Sequence, residues 1–539
     1  MSLYNRSSLI QVPSLYKDGT LVSTIPEDRS GDFTVARGSN LAATRIGEDG
    51  YIKKGYENLL LQSNSFDTTP WQSVRVTPST GFTGYDGTND AWKIVPTTQL
   101  QEHNIRYNGS SVTGVWTFSI YAKAGGYDFI SIIFQGLGSS GKIIDISPNQ
   151  GVVVDNKGGV QAIDESITDV GNGWWKITLT YTGSVGTIFM ATLPTKNTLQ
   201  FAGDGTSGMY IQDAQLNQGL VAYPYLETTT APAQGGLLEN SPRLDWSNGV
   251  PAVKLEEQRT NLVSHSEYFG GWQTASSPTI TPNAAVSPEG IQNAYLLTST
   301  EVSSRVQVPV SPTGTNIQSV YIKYSGSDAR VRISGLASAS SRFEVNVNSS
   351  GVAFHSAESG IIDYAIEPVG NDWYRVTSTQ SGGNYYQIYI DVTGNNGSIY
   401  IYGAQLEQDA THPTSYIPTY GTTQTRSNEV ISDNFDIPTT ATIYNSFYSD
   451  TAETVFVLDQ VFNVAEGLNK VAIAFSPTAV KISVGGSIVA NATGTYDTTA
   501  LSNIQLGSNN GTDYSNAPIS GFYVFPEFLT DEELNSLTD

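Results

Sequence analysis

The stretch Val-Gly-Asn-Gly-Trp-Trp-Lys at residues 170–176 returns as Val-Gly-Asn-Asp-Trp-Tyr-Arg at residues 369–375, which is 199 residues later. Each stretch opens with a tight turn of the kind that needs positive φ, and a strand follows directly. Both strands begin with a tryptophan, Trp174 or Trp373. A large aromatic residue repeated at one framework position is typical of a core, so we expect both side chains to be buried rather than stacked on a sugar.

The repeat extends in both directions from this stretch. Further matching blocks follow in the same order, and they begin at residues 58 and 261, 119 and 319, and 210 and 400. The separation between matching residues falls steadily from 203 to 190 along the chain, as expected for two copies that differ by loop deletions. This period is too long for a solenoid, so each copy must be a complete domain with its own core.

Each copy has the sequence pattern of strands. Residues 116–122 and 343–347 alternate at period two, and Gly, Asn, Ser and Pro separate such runs throughout the 539 residues. About ten short strands per copy fit a two-sheet jelly roll. We therefore expect an all-β protein with tandem jelly-roll β-sandwiches.

The copies divide the chain into five parts. We expect an N-terminal arm at residues 1–56, the first jelly roll at 57–226, a linker segment at 227–259, the second jelly roll at 260–420 and a third unit at 427–539. The third unit contains a hairpin with its turn at Gly485 and Gly486. It ends in a helix, because Thr530 and Glu533 form the pattern of a capping box.

Composition and charge limit the classes of function. The chain has 27 basic and 50 acidic residues, a net charge of −23, so we expect it to bind neither nucleic acid nor a membrane. It has no cysteine, which excludes disulfides and thiolate metal sites. No apolar run is long enough to span a bilayer, and Met1–Arg6 lacks the apolar core of a signal peptide. We therefore expect synthesis in the cytosol and release by lysis.

The repeated blocks resemble carbohydrate-binding-module-like jelly rolls of phage tail fibres, head fibres and minor capsid proteins. The residues that carry the resemblance are Asn58-Leu59-Leu60, Tyr121-Ala122-Lys123, Gly171-Asn172-Gly173-Trp174, Gly403-Ala404-Gln405-Leu406-Glu407 and Pro413-Thr414-Ser415-Tyr416-Ile417-Pro418-Thr419. The third unit resembles concanavalin A/laminin-G-like lectin sandwiches through residues 469–472, 484–486, 504–507 and 528–534.

Two departures from these families stand out. The first copy has Ala222-Tyr223-Pro224-Tyr225 where the family has its Ser-Tyr-Ile-Pro run, and the third unit has Gly485 where Asn is usual. Whether the lectin-like domains bind sugar or calcium therefore stays open.

The resemblance implies an external protein of a phage particle, a fibre or decoration protein of the head or tail. Its partners would be capsid or tail proteins, further copies in a trimer, and a host cell-surface glycan. Residues 1–56 would anchor it. Pro13 and Pro26 disfavour a helix there, and scattered apolar residues such as Leu9 and Leu21 need a surface to cover them, so we expect docking as an extended strand or loop.

No catalytic constellation is evident, and we expect neither an enzyme, nor a cofactor, nor a metal site. The histidines are not at metal-ligand spacing: His103, His265, His355 and His412. A polysaccharide depolymerase is the alternative, since two carboxylates about 5–10 Å apart would suffice and sequence cannot reveal them.

Four aromatic residues are candidates for stacking on a glycan. Trp71 and Trp272 lie in loop-rich regions, where the alternative is a hydrophobic plug at the edge of the sandwich. Alternation along residues 385–390 puts Tyr386, Ile388 and Ile390 on the core face and Tyr385, Gln387 and Tyr389 on the other face. Tyr385 and Tyr389 are therefore the second pair, although ordinary solvent-facing strand tyrosines are the more common case.

Overall fold

The structure is a computed structural model that describes residues 3–17, 19–38, 41–335, 341–394, 396–410, 412–449, 452–499, 504–507 and 517–539. It is 56% strand and 3% helix, in antiparallel sheets consistent with tandem sandwiches. The predicted all-β class is confirmed. No helix within the described ranges is long and apolar enough to cross a membrane.

The strands before and within the first repeat alternate with short turns. Before the repeat they are β1 (Leu9–Lys17), β2 (Thr20–Ile25), β3 (Phe33–Ala36), β4 (Thr44–Ile46) and β5 (Ile52–Asn58). Within it they are β6 (Trp71–Val74), β7 (Val76–Phe82), β8 (Ala91–Pro96), β9 (Gln101–Glu102), β10 (Asn104–Val112), β11 (Val115–Gly125), β12 (Phe129–Gln135), β13 (Ser140–Asp145), β14 (Val152–Lys157), β15 (Asp164–Gly171), β16 (Trp174–Thr182), β17 (Val185–Leu193), β18 (Gln200–Phe201) and β19 (Gly208–Gln218).

The middle segment and the second repeat follow. The middle segment holds β20 (Ala233–Gly236), β21 (Arg243–Asp245), β22 (Ala252–Lys254) and β23 (Arg259–Asn261). The second repeat holds β24 (Gln273–Ala275), β25 (Thr279–Val286), β26 (Gln292–Thr298), β27 (Arg305–Pro309), β28 (Thr315–Tyr324), β29 (Ala329–Ser334), β30 (Arg342–Asn348), β31 (Gly351–Ala357), β32 (Ile361–Pro368), β33 (Tyr374–Ser381), β34 (Tyr385–Tyr389) and β35 (Ser398–Gln408).

The C-terminal part completes the chain. It holds β36 (Gln424–Arg426), β37 (Val430–Asp433), β38 (Ala441–Ser449), β39 (Glu453–Val457), β40 (Gln460–Val464), β41 (Gly467–Ser476), β42 (Ala479–Val484), β43 (Ser487–Thr493), β44 (Ile504–Leu506), β45 (Ile519–Phe525) and helix α1 (Asp531–Thr538). Short 3-10 helices lie at Leu3–Arg6 and Phe269–Gly271. The predicted capping box is present, with reciprocal bonds between Thr530 and Glu533.

The two repeats have the same strand order in both of their sheets. In the first repeat the orders are β14-β13-β12-β17-β10-β6 and β15-β16-β11-β19-β8-β7. In the second they are β31-β30-β29-β34-β27-β24 and β32-β33-β28-β35-β26-β25. Trp175 and Tyr374 pair with equivalent residues of β11 and β28, so Trp174 and Trp373 directly before them are equivalent. Both tryptophans are buried, as predicted.

The N-terminal strands belong to the C-terminal sandwich, which corrects the expectation of a separate arm at residues 1–56. The large sheet has the order β43-β42-β41-β38-β45-β1-β2-β3-β37-β44. β1 runs antiparallel to β45, with Leu9 opposite Val524, and both Leu9 and Leu21 are fully buried. The predicted extended docking is present, but the surface that covers these apolar residues lies in the same chain. The third unit is therefore discontinuous and is not confined to residues 427–539.

The segment at residues 227–259 is also structured rather than a simple linker. β20 pairs with β5, and the hairpin β21–β22 joins the large sheet through β45. The similar hairpin β4–β5 lies against the second repeat, where the N–H of Ile52 donates to the carbonyl of Pro288 at 2.8 Å. Each repeat is thus preceded by a hairpin that packs on a later part of the chain.

Candidate ligand-binding cleft in the first repeat

The two candidate tryptophans are core residues, which corrects their assignment as surface platforms. Trp71 and Trp272 are 4% and 5% exposed. The indole N–H of Trp71 donates to the carbonyl of Gln62, and that of Trp272 to the carbonyl of His265, each at 2.9 Å. A sugar needs an open ring face, and these rings are enclosed by their own sandwiches. The alternative of a hydrophobic plug describes them.

Tyr385 and Tyr389 lie half-buried on the outer face of the second repeat. Tyr386 and Ile388 are fully buried, as the alternation predicted, but Gln387 is buried as well. The Tyr389 ring has the guanidinium groups of Arg305 and Arg332, its partners on the two neighbouring strands, 5.2 Å from its centroid. These cations lie beside the ring and take up part of the surface that a sugar would use. The four candidates do not come together into one site.

A different site emerges when the two repeats are aligned by their hydrogen bonds. The loops before β8 and β26 are closed by the same backbone bond, from Gly84 to Thr88 at 2.8 Å and from Ser287 to Ile291 at 2.9 Å. This alignment makes Asp86 equivalent to Glu289, and Asp90 equivalent to Asn293.

The segment that follows the last strand of each repeat aligns in the same way. The hydroxyls of Tyr225 and Tyr416 each share a 2.7 Å hydrogen bond with a serine, Ser63 and Ser266 respectively. Residues 224–228 of the first repeat therefore have the same arrangement as residues 415–419 of the second, two positions after the departure noted in the sequence. The residues after the serines, Asn64 and Glu267, are equivalent by the same alignment.

In the second repeat a buried ammonium group lies beside Glu267 and Glu289. Lys54 of β5 places its Nζ 2.7 Å from Glu267 Oε1 and 3.1 Å from Glu289 Oε2. The Tyr402 hydroxyl donates to the same two carboxylates, at 3.1 and 2.8 Å. Burial alone lowers the pKa of Lys54, but the charges of Glu267 and Glu289 outweigh it and hold that pKa well above its ordinary value. The lysine is therefore charged and paired.

The hairpin that carries Lys54 covers this face of the second repeat. Ile52 packs in an apolar cluster with Tyr321, Trp373 and Tyr402 on the outer side of the β28 sheet. Tyr51 lies so close to Gly290 that a Cβ there would meet its ring at 3.0 Å. As a result Tyr321 is only 5% exposed.

The equivalent face of the first repeat is open and forms a cleft of about 590 Å³. Its lining comes from the first repeat and from the residue directly after it: Asn64, Tyr85, Asp86, Asp90, Tyr121, Lys176, Asp213, Pro224, Tyr225 and Glu227. The rings of Tyr85 and Tyr121 stack 3.5 Å apart and nearly parallel. Burial raises the pKa of Tyr85, so its hydroxyl stays protonated and donates to Asp213 Oδ2 at 3.0 Å.

Asp213 occupies the bulge of β19 with φ at +54°, where the second repeat has Gly403 at +58°. A side chain in this left-handed region is uncommon and costs backbone strain, so its presence calls for a reason. Burial raises the pKa of Asp213 to about 7; the hydrogen bond from Tyr85 opposes the rise, and the charges of Asp90 and Asp86 add to it. The Asp213 carboxyl therefore holds its proton more tightly than a solvent-exposed aspartate does.

The aromatic surface continues along the same sheet. Phe82 makes an edge contact with Tyr210 at 5.2 Å, and Lys93 Nζ lies 5.4 Å from the centre of the Tyr210 ring. Rings beside hydrogen-bonding side chains are the usual composition of a site for a polar ligand.

The sequence contains a signal for this site. In the alignment of residues 210–216 with residues 400–406, Gln212 corresponds to Tyr402 and Asp213 corresponds to Gly403. Differences inside an otherwise repeated block indicate where the two copies differ in function.

No metal centre is evident, since the described part of the chain has no group of three or more His, Asp or Glu residues that could hold a metal ion. His103 is 1% exposed, and its two ring nitrogens lie 2.6 Å from the Arg75 carbonyl and 2.8 Å from the Phe201 carbonyl. These contacts fix loops to one another and are structural.

Comparison with known proteins gives no family: no protein-family model matches the chain, and no curated protein matches it.

Proposed function

We propose that this protein is an external structural protein of a bacteriophage particle, a fibre or decoration protein, and that the open cleft of its first repeat binds a glycan of the host surface. The observation that carries the binding function is the difference between two equivalent faces. One is closed by Lys54 and its hairpin, and the other is open and lined by tyrosines and carboxylates.

The composition of the cleft favours a saccharide. The stacked, half-buried rings of Tyr85 and Tyr121 offer apolar surface, and Asn64, Asp86 and Lys176 offer donors and acceptors at its rim. The sheet behind them is rigid, because the neighbouring residues of Tyr121 on β11, Ile120 and Ala122, are fully buried in the core.

The way in which the parts are joined supports a role in a particle. Arg243 lies 2.8 Å from Glu256 and is also paired with Glu429, and Arg426 lies 3.1 Å from Glu256. Arg37 lies 3.3 Å from Glu429. This buried cluster links the N-terminal segment, the middle hairpin and the start of the C-terminal part. It makes a stiff chain without disulfides, as an exposed appendage requires.

The C-terminal sandwich, whose large sheet includes the N-terminal strands, would then bind the capsid or tail proteins. Large apolar side chains are exposed on this unit, at Tyr4, Tyr16, Val461, Leu468 and Val489. Such residues suit contacts with the particle or with further copies in a trimer.

A glycan-cleaving enzyme is the second candidate, and Asp213 is the observation that favours it. A buried carboxyl with a pKa of about 7 beside Asp86 and Asp90 resembles the acid of a glycosidase. Against this, the Asp213 carboxyl already accepts a hydrogen bond from the Tyr85 hydroxyl.

The test is a glycan array made from host surface polysaccharides, probed with the wild-type protein and with Tyr121→Ala. We expect binding that is lost in the variant and retained in Tyr389→Ala, on the second repeat. Reducing-end release is measured in parallel, and release that Asp213→Asn abolishes would establish the enzyme instead. Absence of binding to every glycan would refute the proposed ligand, and electron microscopy of particles labelled with antibody tests the location.

A further inference from the structure

The second repeat shows what kind of group this type of cleft holds. An ammonium nitrogen sits between the carboxylates of Glu267 and Glu289, and the rings of Tyr223 and Tyr420 lie 5.6 and 5.5 Å from it. Carboxylates and ring faces together are the environment that an ammonium group prefers.

The first repeat keeps one of the two carboxylate positions of this site and lacks the lysine: Asp86 stands at the position of Glu289, and Asn64 at that of Glu267. The Asp213 carboxyl interacts with the Tyr225 hydroxyl, as the Glu267 carboxylate does with the hydroxyl of the equivalent Tyr416. Asp90 and Glu227 add further carboxyl groups to the lining. Lys176 is the one cation among the lining residues. Burial lowers its pKa, and its Nζ lies over the Tyr121 ring, 5.7 Å from the ring centroid.

The first repeat differs from the second in the space above this charge. In the second repeat Ile52 of the hairpin packs in the cluster of Tyr321, and its N–H bonds to Pro288. In the first repeat the residue equivalent to Pro288 is Tyr85, whose ring lies flat on Tyr121, the equivalent of Tyr321. A polypeptide strand would have to displace the Tyr85 ring, whereas a single sugar ring can lie beside it.

We propose that the cleft of the first repeat binds a saccharide that carries a free primary amino group, with the ammonium between Asp86 and Asp213 in the place that Lys54 takes in the second repeat. The inference rests on the proposed glycan-binding function and names the class of glycan. An uncharged N-acetylated sugar of the same size lacks the group that the carboxylates recognise.

The experiment compares glucosamine tetramer with N-acetylglucosamine tetramer by isothermal titration calorimetry on the full chain. The pH is about 7, the pKa of Asp213, so that a bound ammonium can hold its carboxyl ionised. Physiological salt screens the long-range attraction to the acidic protein. We expect the free amine to bind at least about tenfold more tightly, the size of one charge-assisted hydrogen bond. The double variant Asp86→Asn/Asp213→Asn should lose that preference. Asparagine suits the positive φ of residue 213, so the fold is retained.

The matched control is Asp363→Asn/Asp372→Asn, which removes the same charge from exposed positions of the second repeat and should leave binding unchanged. Equal affinity for the two tetramers would overturn the inference and leave the glycan-binding function standing. Equal weakening by both double variants would show attraction by net charge alone and overturn it too. Failure of both tetramers, or binding of a lysine peptide instead, would also overturn it, and the glycan array then decides the proposed function separately.

Discussion

Replacing Lys54 with methionine tests the buried ammonium site of the second repeat. Lys54, Glu267 and Glu289 have side chains only 1%, 2% and 3% exposed, so the change leaves two carboxylates buried without their cation. Removing one partner of such a buried pair costs about 3–5 kcal/mol. With a urea dependence of about 2 kcal/mol per molar for a domain of this size, the midpoint should fall by about 2 M.

The assay is urea unfolding followed by tryptophan fluorescence, to which Trp373 contributes from within the cluster that contains Ile52. The neighbouring Lys53→Met is the control, since Lys53 forms an exposed pair with Asp49 and should cost less than about 1 kcal/mol. Adding Glu267→Gln and Glu289→Gln to Lys54→Met should restore most of the loss. A loss no larger than that of Lys53→Met would refute the reasoning.

Three further outcomes follow from the same structure. The pKa of Asp213 is raised from 3.8 to about 7, so the folded state holds a proton that the unfolded state releases, and stability should fall by at most about 4 kcal/mol as pH rises from 4 to 7. Asp213→Asn should flatten that part of the urea stability profile, and an unchanged profile would contradict the assignment. Trp71→Ala should destabilise the first repeat by about 3–5 kcal/mol, while any glycan affinity measured on the folded fraction stays the same. Removing residues 1–17 takes β1 from between β45 and β2, and limited proteolysis should then cut the C-terminal sandwich; resistance equal to that of the full chain would argue against the shared sheet.

The sequence was most informative where structure depends on neighbouring residues and on the duplication. Strand alternation, the turn before Trp174 and Trp373, and the capping box at Thr530 all act over a few residues, and all are present in the structure. The equal strand order of the repeats follows from their matched blocks, since the same pattern folds the same way twice.

The N-terminal segment was harder to place, because strand pairing over more than 500 residues leaves no local pattern. The apolar residues Leu9 and Leu21 showed that the segment needs a covering surface, but not that β45 and the C-terminal core supply it. The resemblance to phage proteins suggested that the segment anchors to the particle, whereas in the structure its strands pair with β45 and β37 of the same chain.

The candidate site was missed for a related reason. Aromatic residues such as Trp71 were chosen by type, and a sequence does not say which ring faces are left open. The cleft depends on what covers each repeat, and a hairpin from before the first repeat covers the second one. Only the contrast of Asp213 with Gly403 pointed to it in the sequence.

The central claim is that the hairpin β4–β5 covers one face of the second repeat, while the equivalent face of the first repeat is open. Thiol labelling tests this claim most directly because the chain has no cysteine of its own. Asp90→Cys and Asn293→Cys place a thiol at equivalent positions, the first exposed and the second 1% exposed beside Glu289. In the folded protein we predict that a maleimide labels the thiol at position 90 at least about tenfold faster, because position 293 reacts only when its cover opens. With both variants shown to be folded, equal rates would contradict the account.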